Sequence, residues 1–130
     1  MSKGRGSASW SARAIVALMA VSVLLLQADH NVQAATYTVG DSSGWALNAV
    51  GWPSGKQFKA GDVLVFNYNP SFHNVVVVDS GGYKNCVTPA SASTYTSGKD
   101  RMTLSTGPHY FICNFPSHCE SDMKIAVTAV

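Results

Sequence analysis

Toward the C-terminus of this 130-residue chain, a cysteine, a histidine and a methionine recur at equal intervals: Cys113, His118 and Met123, in the spacing C-x4-H-x4-M. One short segment therefore carries a thiolate, an imidazole and a thioether. A second imidazole, His73, lies far upstream between two apolar, strand-like runs. Singly these residues say little, since a lone cysteine usually packs as a small hydrophobe. Jointly they form a known donor set: two imidazoles, one thiolate and a weak axial thioether are the ligands of a type 1 (blue) copper electron-transfer site. The thiolate binds copper strongly, the imidazoles suit both oxidation states, and a long thioether bond leaves the geometry nearly trigonal. Little then needs to rearrange when an electron moves.

Four such donors meet only if strands bring the Cys113–Met123 loop beside His73. The chain supplies them. Strand-like runs occupy Thr36–Val39, Val63–Tyr68, Asn74–Asp79, Arg101–Ser105, His109–Cys113 and Met123–Val130, separated by Gly40-Asp41, Ala60-Gly61-Asp62, Asn69-Pro70, Ser80-Gly81-Gly82 and Thr106-Gly107-Pro108. Short runs rich in Val, Thr, Tyr and Phe at regular spacing predict an all-β sandwich or barrel. Helical pieces are expected only between Trp45 and Gly51 and around Pro89 to Ala92, because no segment after residue 34 sustains a helical apolar stripe. Cys113, His118 and Met123 then fall on the flanks of one tight loop between two strands. His73 arrives from another.

Residues near this loop have secondary roles to fill. Phe72, Phe111, Phe115 and Pro116 could keep the site dry, and Asn74 could brace the ligand loop by hydrogen bonds. His109 shares a strand face with Cys113, but four donors are already assigned without it.

The first 34 residues read as a leader. Lys3, Arg5 and Arg13 precede the apolar stretch Ala14–Leu26, and Val32-Gln33-Ala34 offers small residues for cleavage after Ala34. The stretch is shorter than the roughly 20 residues of a membrane span. An uncleaved anchor is the lesser alternative. Processing would leave residues 35–130, enough for one compact domain and too few for two. The full chain carries a formal charge of +2. The leader takes three basic residues and only Asp29, so the remaining domain is neutral, with Lys56, Lys59, Lys84, Lys99, Arg101 and Lys124 against six acids. A neutral domain gives no support for nucleic-acid binding or electrostatic membrane attachment. No lipid-anchor signal follows Met123, and Asn69-Pro70-Ser71 has proline where a glycosylation sequon forbids it. The mature protein is expected to be soluble and monomeric. Three cysteines in a secreted domain leave one thiol over. If Cys113 holds a metal, Cys86 and Cys119 are the natural disulfide of that oxidising compartment.

With these residues in view, the chain resembles the phytocyanins of plants, and within them the plantacyanin branch. The resemblance rests on Tyr37-Thr38-Val39-Gly40-Asp41, Gly44-Trp45, Ala60 to Tyr68, His73-Asn74-Val75, Tyr110 to Pro116 and Met123 to Val127. It implies a cupredoxin-like Greek-key β-sandwich with one type 1 copper ion bound by His73, Cys113, His118 and Met123. It also implies a Cys86–Cys119 disulfide and secretion to the apoplast or cell wall. Methionine rather than glutamine at position 123 points away from stellacyanins. Two positions depart from the pattern: the family usually has glycine where this chain has Ser117 and Asp122. A positive φ at Ser117 would strain it, and the added anion at Asp122 is expected to favour Cu(II) and lower the reduction potential.

Three functions compete on this reading. The leading one is a secreted carrier of single electrons, with an unidentified small-molecule or protein redox partner. A thiol enzyme built on Cys113 and His118 lacks an orienting group and an oxyanion hole, and leaves Met123 unexplained. The third is an extracellular signalling or adhesion module of the same fold, in pollination or cell-wall processes, whose copper is not used for electron transfer. An electron carrier with all four positions filled by protein is not expected to be an enzyme.

Overall fold

The structure is a computed structural model that describes residues 33–130. The expected leader and its apolar stretch lie outside the described residues, apart from Gln33 and Ala34. Seven strands and one short helix follow: β1 (Thr36–Thr38), β2 (Val63–Asn67), β3 (Val75–Val78), α1 (Ser80–Asn85), β4 (Ser93–Tyr95), β5 (Lys99–Thr103), β6 (Gly107–Ile112) and β7 (Lys124–Ala129). They form two sheets, ordered β1-β2-β5 and β4-β3-β6-β7. β1 runs parallel to β2, and the other strand pairs are antiparallel.

Alternation explains the first sheet. In β2, Leu64 and Phe66 are buried while Val63, Val65 and Asn67 are half-buried, the period-2 signature of a strand with one face on the core. Between the sheets lie Val39, Trp45, Leu64, Phe66 and Leu104 with Val75, Phe111, Ile125 and Val127. Trp45 and Phe66 meet edge to face at 5.1 Å, and Phe66 reaches Phe111 at the same distance. The Trp45 indole N–H donates to the Asn74 carbonyl at 2.8 Å, which ties this core to the residue beside His73.

β3 does not alternate, because both of its faces are covered. Val75 joins the central core, whereas Val76 and Val78 join Ile112 and Cys119 in a second cluster beneath Tyr83, Cys86 and Tyr110. Cover for that outer face comes from α1, which begins at the Ser80-Gly81-Gly82 expected only to separate strands. The Asp79 side chain caps it by accepting from the Gly82 N–H at 2.7 Å, a typical N-cap bond. Gly82 is glycine for space: a Cβ there would lie 2.7 Å from the Val87 carbonyl oxygen and 2.9 Å from the Val78 side chain. The Gly81-Gly82 pair, unfavourable in a helix by propensity, hid the element.

Other expectations shift in smaller ways. The Trp45–Gly51 segment contains a 3-10 turn at Ala49–Gly51, and another forms at Asp41–Ser43. Pro89–Ala92 makes a single turn closed by Ala92 N–H to Pro89 O at 3.0 Å, not a helix. β4 is wholly exposed and so carried no apolar pattern to read. β6 begins at Gly107 rather than His109, extending across the Gly-Pro expected to break it.

A disulfide joins Cys86, at the C-terminal end of α1, to Cys119 in the loop after β6, with their Cα atoms 5.7 Å apart. It staples the helix to the segment that carries His118. The bridge spans 33 positions in sequence, and in the chain-entropy description a loop of that size contributes about 3.8 kcal/mol. The double variant C86S/C119S is therefore expected to lose about 3–4 kcal/mol in urea denaturation, leaving little margin for a domain of this size.

Candidate metal centre

β6 and β7 pair in register from Gly107↔Ala129 to Ile112↔Lys124. The ladder gains one further step, Cys113 N–H to Met123 O at 3.0 Å. That bond fixes both ends of the loop, so Cys113 and Met123 emerge side by side, each fully buried. Inside the loop, Phe115-Pro116-Ser117-His118 is a turn closed by His118 N–H to Phe115 O at 3.1 Å. Ser117 has φ 69°, with Pro116 before it, which is the arrangement of a type II turn whose third place favours glycine. A 3-10 turn, Cys119–Ser121, follows. It ends in paired bonds from Met123 N–H to His118 O and from Asp122 N–H to Cys119 O, both 3.0 Å. This is a Schellman-type stop with Asp122 in the left-handed position at φ 63°. Both departures from glycine thus occupy backbone conformations that glycine suits best.

His73 reaches the loop from the turn before β3. Its Nδ1 lies 3.1 Å from His118 Nδ1, and His118 Nδ1 lies 3.5 Å from the Cys113 sulfur. All three donor atoms fall within 4.8 Å of one another. The structure therefore brings together three of the four expected donors. Met123 packs in the same buried cluster as Cys113 and Phe115. His73 and His118 are half-buried.

This donor set fits a copper ion. Two imidazole nitrogens and a sulfur converge with no carboxylate among them, the mixed soft and borderline set that favours copper over hard cations. Burial raises the Cys113 thiol pKa, partly offset by backbone N–H groups of Asn74 and Phe115 that donate toward the sulfur. Burial lowers the His73 pKa, helped by the neighbouring His118. His73 is thereby kept neutral, as a metal ligand must be.

The surrounding residues divide. Asn74 is buried and bridges to the loop, its Nδ2 donating to Asn114 Oδ1 at 2.6 Å while its Oδ1 accepts from Asn114 N–H at 3.0 Å. Asn114 also donates to Thr88 Oγ1 at 3.2 Å. Sequence reasoning did not single out Asn114, and two polar residues 40 positions apart offer no local signal of pairing. Phe111 is buried, and Phe115 stacks on His118 with centroids 5.8 Å apart. Phe72 is 61% exposed and Pro116 is exposed, so these two belong to the surface rather than to a dry surround. His109 turns away, with Nε2 2.7 Å from the Ser105 carbonyl oxygen and its ring stacked on Phe111. Asp122 is exposed; burial, and after it the Asp122 charge, raises the Tyr83 pKa.

Residues 43–123 match the family model described as a plastocyanin-like domain. The chain is 79% identical to a basic blue protein of Arabidopsis thaliana over the full length of both. It is 51% identical to a chemocyanin of Lilium longiflorum over 99% of each. Among solved structures it is similar to a blue copper protein from cucumber, the cucumber basic protein. That match has 61% identity and a TM-score of 0.73, covering 74% of this chain and all of the other.

The loop and His73 each carry a measurable consequence. Relieving the left-handed serine by Ser117→Gly should raise stability by about 1 kcal/mol, with a smaller gain for Asp122→Gly because aspartate tolerates that region better. Urea midpoints of the single variants measure both. The second concerns protons. With its pKa below the unfolded value, His73 contributes stability that is present above about pH 6.5 and lost as the pH falls through its folded pKa. The metal-free protein should therefore have a lower urea midpoint at about pH 5 than at about pH 7.5, with a smaller difference in His73→Gln.

Proposed function

The chain belongs to the plastocyanin-like phytocyanin family of blue copper proteins, and from that premise we propose that His73, Cys113, His118 and Met123 hold its one copper ion for single-electron transfer. Membership makes it a copper electron carrier of the cupredoxin fold. The observation that carries the residue assignment is the convergence of His73 Nδ1, His118 Nδ1 and Cys113 Sγ within 4.8 Å. Bound there, copper would supply one-electron Cu(I)/Cu(II) chemistry.

The protein's own part is to hold the donors still. Cys113 and Met123 are fixed by the bond that closes their loop. Asn74 clamps Asn114, next to Cys113, with two hydrogen bonds, and the disulfide tethers Cys119, next to His118. A site held this way changes little between oxidation states, which keeps reorganisation small. Phe111 and Phe115 limit water on one side. The half-buried imidazoles, beside exposed Phe72 and Pro116, give a redox partner its nearest approach.

The buried sulfur disfavours the thiol-enzyme alternative. A nucleophilic cysteine needs access and a depressed pKa, whereas Cys113 is fully buried with its pKa raised. We read the protein as a carrier and not an enzyme. Among the described residues no helix is long and apolar enough to cross a membrane. Secretion after removal of residues 1–34, to the apoplast as a soluble monomer, is the matching reading of location.

Copper loading is expected to give an intense blue thiolate-to-copper band that ascorbate bleaches and an oxidant restores. Cys113→Ser should abolish the band while the domain stays folded by circular dichroism. Persistence of the band in that variant would refute the assignment. In voltammetry Asp122→Gly should raise the potential only slightly, because an exposed charge acts through water at about 1 kcal/mol or less.

A further inference from the structure

The turn residue Asp62 is only 2% exposed, yet it carries a carboxylate. Both oxygens are bound by neutral backbone groups: Oδ1 accepts from Ala35 N–H and Oδ2 from Lys59 N–H, each at 2.8 Å. Its main chain is equally fixed, with Asp62 N–H to Lys59 O at 3.0 Å and Leu104 N–H to Asp62 O at 2.8 Å. No cation is among these partners. A buried carboxylate without a counter-charge is costly. Among the described residues the other buried carboxylate, Asp100, is met by the hydroxyls of Tyr68 and Ser97, so Asp62 differs in leaning on the nitrogen of Ala35, just before β1.

That nitrogen is special. Ala35 follows the expected cleavage point, and hydrolysis of the Ala34–Ala35 peptide bond gives the Ala34 carbonyl a hydroxyl and leaves Ala35 with a free amine, protonated at neutral pH. We propose that Asp62 is the receptor for the processed N-terminus: cleavage after Ala34 turns a neutral donor into the α-ammonium counter-ion of the buried carboxylate, and so locks the mature fold. The register is already set, because Val63 N–H bonds Ala35 O at 2.9 Å and Thr36 pairs with Val63. Cleavage one residue to either side would move the ammonium by a residue's length, about 3.5 Å, out of bonding distance. The proposal rests on processing after Ala34 and is independent of copper assignment.

Residues 35–130 can be tested alone, since Ala34–Val130 is one compact unit and a cucumber chain matching 74% of this one folds as a complete structure. Copper-loaded 35–130 with a free α-amine should melt several degrees higher than the same protein Nα-acetylated or retaining Ala34. In Asp62→Asn, whose amide oxygen can still accept from Ala35, that difference should vanish. Equal melting temperatures in the wild-type background, or an equal loss in Asp62→Asn, would overturn the lock. If Asp62→Asn does not fold, NMR titration of the Ala35 amine decides: a pKa above about 8 supports the pair, and one at or below that ordinary value sinks it. N-terminal sequencing of the secreted protein separates the two premises, because a start other than Ala35 refutes the processing step itself.

Discussion

One hydrogen bond organises the rest of this molecule: Cys113 N–H to Met123 O, the last rung of the β6–β7 ladder. It converts an eleven-residue loop into a closed ring whose ends are buried side by side. With the ends fixed, the turn at Phe115–His118 and the 3-10 turn after it leave one place for the His118 imidazole, beside the sulfur. A loop with free ends would have to order itself on the metal. Here strand pairing meets that ordering cost during folding.

Three long-range ties then hold the ring against the remainder of the fold. The Trp45 indole grips the Asn74 carbonyl, Asn74 grips Asn114, and the Cys86–Cys119 bridge ties the far side of the loop to α1. Each tie attaches next to a candidate ligand rather than to it. The three ties thereby place the donors without being made through the donor atoms themselves. The same economy of position appears at the other end of the domain, where Asp62 gathers the start of β1 and the turn before β2 through both carboxylate oxygens.

Ser117 and Asp122 show the cost of building the loop with side chains where glycine fits better. Both adopt positive φ, and neither conformation is optional: the first completes the turn that aims His118, the second ends the 3-10 turn that returns the chain to Met123. The strain is accepted because the surrounding bonds over-determine the backbone. Asp122 carries its carboxylate at the surface.

Read as a sequence, the chain already determined its chemistry. Donor types and the C-x4-H-x4-M spacing are local properties, so copper, the four ligand candidates and the sandwich class were legible, as were most strands, whose period-2 pattern follows from one buried face. What the sequence left undecided depends on contacts distant along the chain. Helix α1 was hidden because Gly82 is required by packing on Val78 and Val87, not by propensity. Asn114 was missed because its partner lies 40 residues away, and Phe72 was misplaced because apolarity does not say which surface is covered. Asp62 reads as a turn signal, and only the fold shows its carboxylate buried against the backbone of Ala35. Residue types fix what bonds are possible; only the tertiary structure, by setting burial and direction, decides which of them form.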